Sequence, residues 1–214
     1  FMDLLPVSHS RPPIPLGSRL WDMQVNAFRN GVDDYIDLAT FGPPIMFCPA
    51  PFPGCPPVPP AVLVPYSFSQ YRNVANARLE GVELESMYDA GAWFAGLSGH
   101  HIRGRNLDTG APLNNVAPDQ LALTAGIRLL DRKLTASVRY AAVSAKTDVP
   151  AGSFQRGSYN LLNAYIGYQP NEDVLAGLSI ENLLNEYYVR YPDLLPQPGI
   201  TVKASLKIRL AGGG

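Results

Sequence analysis

Residues 200–210 read Ile-Thr-Val-Lys-Ala-Ser-Leu-Lys-Ile-Arg-Leu. Apolar Ile200, Val202, Ala204, Leu206, Ile208 and Leu210 alternate without exception with Thr201, Lys203, Ser205, Lys207 and Arg209. Period-two alternation over so long a run specifies a β-strand with one apolar face and one polar, cationic face. Such a strand needs an apolar medium on one side and water or polar protein on the other. Val174, Ala176, Leu178 and Ile180 repeat the pattern upstream, and a Tyr- and Pro-rich loop at about 185–198 joins the two runs. The rest of the chain decides which medium the apolar face meets.

Composition narrows the choice. The 214 residues are 46% hydrophobic and 16% charged, with a formal net charge of −1, which lacks the basic excess of a nucleic-acid binder. No window approaches eighteen consecutive apolar residues, so no membrane-crossing helix is expected. A mean hydropathy near zero leaves a membrane β-barrel open, because outward and inward residues alternate and cancel in any average. Phe1-Met2-Asp3-Leu4-Leu5 is too short and acidic to read as a secretory leader.

Along the chain, 1–18 carries Pro6, Pro12, Pro13 and Pro15 without a sustained period and reads as an irregular segment. Trp21, Met23, Val25 and Ala27 alternate with polar neighbours in a strand that ends near Asn30-Gly31 or runs on through Tyr35. Ten prolines between 43 and 65 then predict a long exposed loop of about 37–72 with polyproline character. Cys48 and Cys55 lie in that loop; a local disulfide is the expectation, a reduced pair the alternative, and a metal site would need further Cys or His ligands nearby.

Beyond it, 73–88 reads as a strand with Val82 and Leu84 on one face and Gly81, Glu83 and Glu85 on the other. Ala75, Ala77 and Leu79 share parity with Glu83, which suggests either a bulge near Gly81 or a strand that continues past the apolar medium. Further alternating runs occur at Trp93-Ala95-Leu97, Leu121-Leu123-Ala125-Ile127, Leu134-Ala136-Val138-Tyr140 and Leu162-Ala164-Ile166-Tyr168. Residues 19–210 therefore hold about eight strands, and 211–214 form a Gly-rich tail.

The connections alternate in length. Short turns fall at 89–91, 130–132 and 169–172, and long polar loops at about 31–72, 103–118, 143–157 and 185–198. Short turns at one end and long loops at the other are the layout of an outer-membrane barrel. Runs of about nine to eleven residues suit a tilted crossing of the hydrocarbon layer. Tyr88, Trp93 and Tyr168 beside the short turns, and Tyr140, Tyr187 and Tyr188 beside the long loops, fit two interfacial girdles. The predicted class is all-β: an antiparallel up-and-down transmembrane β-barrel segment.

Three stretches carry a resemblance. Asn73-Val74-Ala75-Asn76-Ala77 leads into Gly81-Val82-Glu83-Leu84-Glu85; Ser179-Ile180-Glu181-Asn182-Leu183-Leu184-Asn185-Glu186-Tyr187-Tyr188 follows; the alternating strand 200–210 comes last. In this order and spacing the chain, from about 20 to 210, resembles the C-terminal part of the β-barrel of TonB-dependent outer-membrane receptors, most of all the haem and haemoprotein branch. The resemblance implies a location in the Gram-negative bacterial outer membrane and a larger barrel of which these are the closing eight or so strands. It implies as partners the membrane lipid, the N-terminal barrel strands and plug domain, and the TonB complex. It also implies uptake of haem as transported ligand, a ferric siderophore being the alternative, with no intrinsic cofactor. The family's usual terminal aromatic is replaced by Leu210 followed by Ala211-Gly212-Gly213-Gly214.

Candidate ligand residues follow from position. His100 has the parity of Gly96 and Ser98, the polar face, and imidazole is a common axial ligand of haem iron; a solvated histidine at a strand end is the plainer reading. Tyr66, Tyr71 and Tyr191 sit on long loops, where they can stack on a ligand or pack the loops themselves. The branch's own haem histidines lie in the plug and in an Asn-Pro-Asn-Leu loop absent here, so none is carried over. No metal site is expected. Arg128, Arg139, Lys203, Lys207 and Arg209 are expected on the polar face, in pairs with Glu83, Glu85 and Glu181.

No enzymatic motif occurs: neither Gly-x-Ser-x-Gly, His-Glu-x-x-His nor a phosphate-binding Gly loop. The rival from another class is a soluble β-sandwich binding module with the Pro-rich loop as its contact surface. A passive porin fits the three stretches less well. A partial barrel leaves two strand edges open, which lipid does not tolerate, so the chain alone is expected neither to transport nor to bind ligand tightly.

Overall fold

The structure is a computed structural model that describes residues 20–47 and 64–210. Cys48 and Cys55, the segment 1–18 and the tail 211–214 lie outside the described residues. Eight strands form one sheet in sequential order: β1 (Leu20–Phe47), β2 (Val64–Asp89), β3 (Trp93–Asn106), β4 (Gln120–Leu129), β5 (Leu134–Val143), β6 (Tyr159–Asn171), β7 (Val174–Glu181) and β8 (Thr201–Ile208). Every pairing is antiparallel and joins chain neighbours, so the sheet is an up-and-down meander. Among the described residues β1 pairs only with β2 and β8 only with β7, which leaves the sheet open.

The alternation places the apolar stripe on one face throughout. Trp21, Met23, Val25, Leu121, Leu123, Ile127, Val138, Ile166, Val202, Leu206 and Ile208 all lie exposed on it. Register carries the stripe from strand to strand, as in Leu97↔Leu123↔Tyr140↔Leu162 and Tyr168↔Ala176↔Leu206. Among the described residues no second sheet covers this face, which removes the β-sandwich. A continuous exposed apolar face of this extent is stable only against another apolar phase. Rings mark its ends: Tyr88 and Trp93 meet at 5.2 Å beside the first short turn, and the Tyr140 hydroxyl donates to Asn160 Oδ1 (2.9 Å) beside a long loop.

One expectation needs correction. Pairing continues into the proline-rich stretch, since β1 runs to Phe47 and β2 starts at Val64, so a loop of about 37–72 is too long. Proline survives there for a local reason. The register slips between Phe41 and Ile45, which leaves Gly42-Pro43-Pro44 unpaired, and Pro65 lies on a stretch of β2 whose one partner is β1. Proline lacks the N–H that a two-sided strand would need, and a bulge or an edge does not ask for it.

Of the two readings offered for Gly81, the continuing strand holds. No bulge occurs; the register Phe28↔Gly81↔Ile102 is continuous, and β2 simply extends past the apolar stripe. A Cβ at Gly81 would lie 2.6 Å from the His101 carbonyl oxygen and 3.0 Å from the Phe28 ring, so the glycine admits a ring that covers it. The apolar residues of polar-face parity above it have a purpose. Leu113 and Val116, from the β3–β4 loop, fold back onto Ala77, with Tyr35, Leu79 and Ile102 around them. This buried apolar cluster sits at the long-loop end. Gly104 makes room for it, because a Cβ there would meet Val116 at 2.6 Å.

Candidate functional site

The polar face carries a band of hydrogen-bonding groups across four strands. Glu83 and His100 are register partners, as are Glu85 and Ser98, and Asn26 donates from Nδ2 to Glu83 (3.4 Å). Gln24, Asn26, Glu83, Glu85, Ser98, His100 and Gln120 line a shallow depression of about 230 Å³. His100 Nε2 lies 3.0 Å from the Pro118 carbonyl oxygen, which can only accept. Nε2 is therefore the donor to that carbonyl. On the same face Arg128 grips Asp89 with two hydrogen bonds of 2.8 and 2.9 Å beside the short turns, and Lys203 meets Glu181 at 2.6 Å beside the β7–β8 loop. The Lys203 pair is as expected; Arg128 takes the turn carboxylate of Asp89 instead of a β2 glutamate.

At the long-loop end three loops are tied together over this face. Both carboxylate oxygens of buried Asp37, on β1, accept from the Asn114 N–H at 3.1 Å. The Tyr191 hydroxyl, from the β7–β8 loop, donates to the carbonyl and side-chain oxygens of the same Asn114. The β5–β6 loop joins through Lys146, whose ammonium lies 5.8 Å from the Tyr191 ring, and through Arg156, which donates to the Asp193 carbonyl at 2.7 Å. Asp148 of that loop binds Arg105 at 3.1 Å. Burial pushes the Lys146 ammonium below its ordinary value, against the pull of Asp148 and Asp119.

The four candidate residues thus have different surroundings. His100 faces the polar depression, and Tyr71 on β2 is 67% exposed. Tyr191 is 7% exposed and committed to loop packing, while the side chain of Tyr66 lies outside the described residues. Asp37, Asn114, Lys146 and Arg156 were not singled out in the sequence.

Burial, then the negative charge of Asp37, push the Tyr191 hydroxyl from 10.0 to about 12. A proton held more tightly in the folded state stabilises it fully below the unfolded value, and that contribution is lost as pH rises through the folded value. The loop knot is therefore expected to loosen between pH 10 and about 12. Tyr191→Phe should abolish that part of the pH dependence, read as protease cleavage within 182–200; an unchanged profile would reject the assignment.

Comparison with known proteins places this architecture. The model of the TonB dependent receptor-like β-barrel family matches residues 16–183, more than half of the chain. The chain belongs to the TonB-dependent receptor family. Its barrel segment is 28% identical over 188 residues to heme/hemopexin utilization protein C of Haemophilus influenzae, covering 86% of this chain and 25% of that protein. It is 27% identical over 158 residues to TonB-dependent heme receptor A of Haemophilus ducreyi, covering 64% of this chain and 21% of that protein. The chain spans about a quarter of the length of the curated relatives it matches. Among solved structures, the copper transporter OprC superposes with a TM-score of 0.68 at 15% identity, over 88% of this chain and 28% of that one. The FrpB iron transporter from Neisseria meningitidis gives 0.58 at 15% identity, over 88% and 29%. The barrel segment accordingly belongs to the outer membrane of a Gram-negative bacterium.

Within that barrel the Asn-Leu-Leu-Asn stretch has a structural task. Asn182 is buried at φ 54°, donates from Nδ2 to the carbonyls of Glu186 (2.9 Å) and Pro198 (3.1 Å), and accepts from the Glu186 N–H (2.9 Å). One side chain holds both ends of the β7–β8 loop. Asn185, at φ 51°, accepts from the Ile200 N–H at 3.4 Å and seeds β8.

Proposed function

We propose that this chain forms part of the barrel of an outer-membrane receptor that takes up haem in a TonB-dependent way. The observation that carries the reading is the name borne by its relatives: those matched over 86% of the chain are heme/hemopexin utilization proteins. In this reading the plug domain and the TonB complex are partners of the whole receptor, and haem is cargo, with no resident cofactor. No residue here is assigned a catalytic role.

The geometry supports a division of labour among the candidate residues. His100 stands on the inner wall where cargo would pass. Tyr71, and Tyr66 on the same strand, are the aromatics we assign to ligand contact. Tyr191 serves at one remove: it ties the Asp37, Asn114 and β7–β8 segments into a fixed rim.

The test is growth of a haem-requiring Gram-negative host that carries the parent receptor. Growth on haem as sole iron and porphyrin source, lost when TonB is removed, is expected. Growth restored by a ferric siderophore but not by haem would move the function to the siderophore alternative.

A further inference from the structure

On the lipid-facing side, β1–β3 change from apolar to charged within one pairing row. The last apolar row is Ala27↔Val82, which His101 completes on β3. The next row toward the long loops is Arg29↔Glu80↔Arg103, and the one after it Gly31↔Arg78↔Arg105. Four arginines therefore stand on three adjacent strands within two rows. Their parity is that of Val25, Leu84 and Leu97, the face that meets lipid.

With strands about 4.8 Å apart and rows about 6.7 Å apart, the patch spans roughly 10 by 7 Å at the backbone, the footprint of a single lipid headgroup. Long loops mark the outer side of such barrels, so the ledge lies at the level of the outer-leaflet headgroups.

The carboxylates nearby leave much of this charge available. Glu80 meets Arg29 Nε at 3.7 Å and Asp148 meets Arg103 at 3.8 Å, which are ion pairs longer than hydrogen bonds. Asp148 takes one nitrogen of Arg105 at 3.1 Å, and Asp119 is held by His101 at 2.8 Å. Asp33 lies one row farther out on β1. Arg29 and Arg103 are 64% and 53% exposed, and Arg78 has no side-chain partner among the described residues. Planar, weakly hydrated guanidinium groups with spare N–H donors match phosphate oxygens in shape and charge.

We propose that this ledge seats the phosphate-bearing headgroup of an outer-leaflet glycolipid, which anchors the barrel wall at β1–β3. Arg29 and Arg78 are its donors, because Arg103 and Arg105 also hold the β5–β6 loop through Asp148.

The parent receptor, purified in a neutral detergent, should retain bisphosphorylated lipid A in native mass spectrometry in preference to its dephosphorylated form. Arg29→Gln with Arg78→Gln should weaken retention roughly thirtyfold, the loss of two cationic contacts at a charged surface. Haem-dependent growth is expected to persist in that variant. Equal retention of the phosphorylated and dephosphorylated lipids by the unaltered receptor, which needs no variant to fold, would overturn the proposal. Unchanged retention by a folded double variant would do the same.

Discussion

Leu123→Arg should cut the yield of folded parent receptor in the membrane at least tenfold, whereas Ser98→Arg should leave that yield near the unaltered level. Leu123 lies on the exposed apolar face at 51% exposure, between its register partners Leu97 and Tyr140. An arginine there must desolvate in hydrocarbon or pull the surrounding bilayer out of shape, at a cost of about 2–4 kcal/mol near the midplane of a β-barrel. Ser98 lies on the adjacent strand but with opposite parity, beside Glu85 on the polar face. The same side chain there finds a carboxylate and water. Folded receptor is measured as the fraction that resists unfolding in cold detergent gels. Equal losses for the two substitutions would mean that both faces meet the same medium.

Asn182→Ala is the second large effect expected, on the order of 3–5 kcal/mol of loop stability. Three hydrogen bonds to backbone groups disappear, each worth about 1 kcal/mol. A left-handed residue other than Gly, Asn or Asp adds roughly 1–2 kcal/mol. The consequence should be local, since β7 and β8 keep their own register from Val174↔Ile208 to Glu181↔Thr201. Rapid cleavage at Arg190 by trypsin, with the strands intact, is the expected readout. Asn182→Gly relieves only the backbone strain and should fall between the alanine variant and the native loop. If the alanine variant resists trypsin as well as the native chain does, Asn182 does not hold the loop.

Much of the fold could be read from the chain because a strand between two media writes its environment into every second residue. The run Leu121-Leu123-Ala125-Ile127 states both the face and the register of β4, and the turns at 89–91 and 130–132 fix which end is which. Proline misled at Pro43, Pro44 and Pro65 because composition carries no record of whether a strand has one neighbour or two. Ala77 and Leu79 looked like an irregularity, yet apolar residues on the polar parity were the trace of the β3–β4 loop folding inward.

The rim of the site was the least legible part. Asp37 and Asn114 are 77 positions apart, as are Asn114 and Tyr191, and no local pattern links them. Only the meander brings those three loop ends to the same height. For the same reason Tyr191 could be singled out as a loop aromatic, but whether its ring packs or projects depends on partners in two other loops. The Asn182-Leu183-Leu184-Asn185 stretch was legible as a family mark, and the structure supplies its cause in two left-handed asparagines that close and restart strands.

The central claim is that one face of this sheet lies in lipid and the other in a watery interior. Nitroxide labels placed singly at each position of β4 in the parent receptor, reconstituted in bilayers, test it directly. Accessibility to dissolved oxygen should peak at Leu121, Leu123, Ala125 and Ile127, and accessibility to a water-soluble nickel complex at Gln120, Thr124, Gly126 and Arg128. Two profiles in phase with each other, or a β4 uniformly open to the aqueous reagent, would contradict the account.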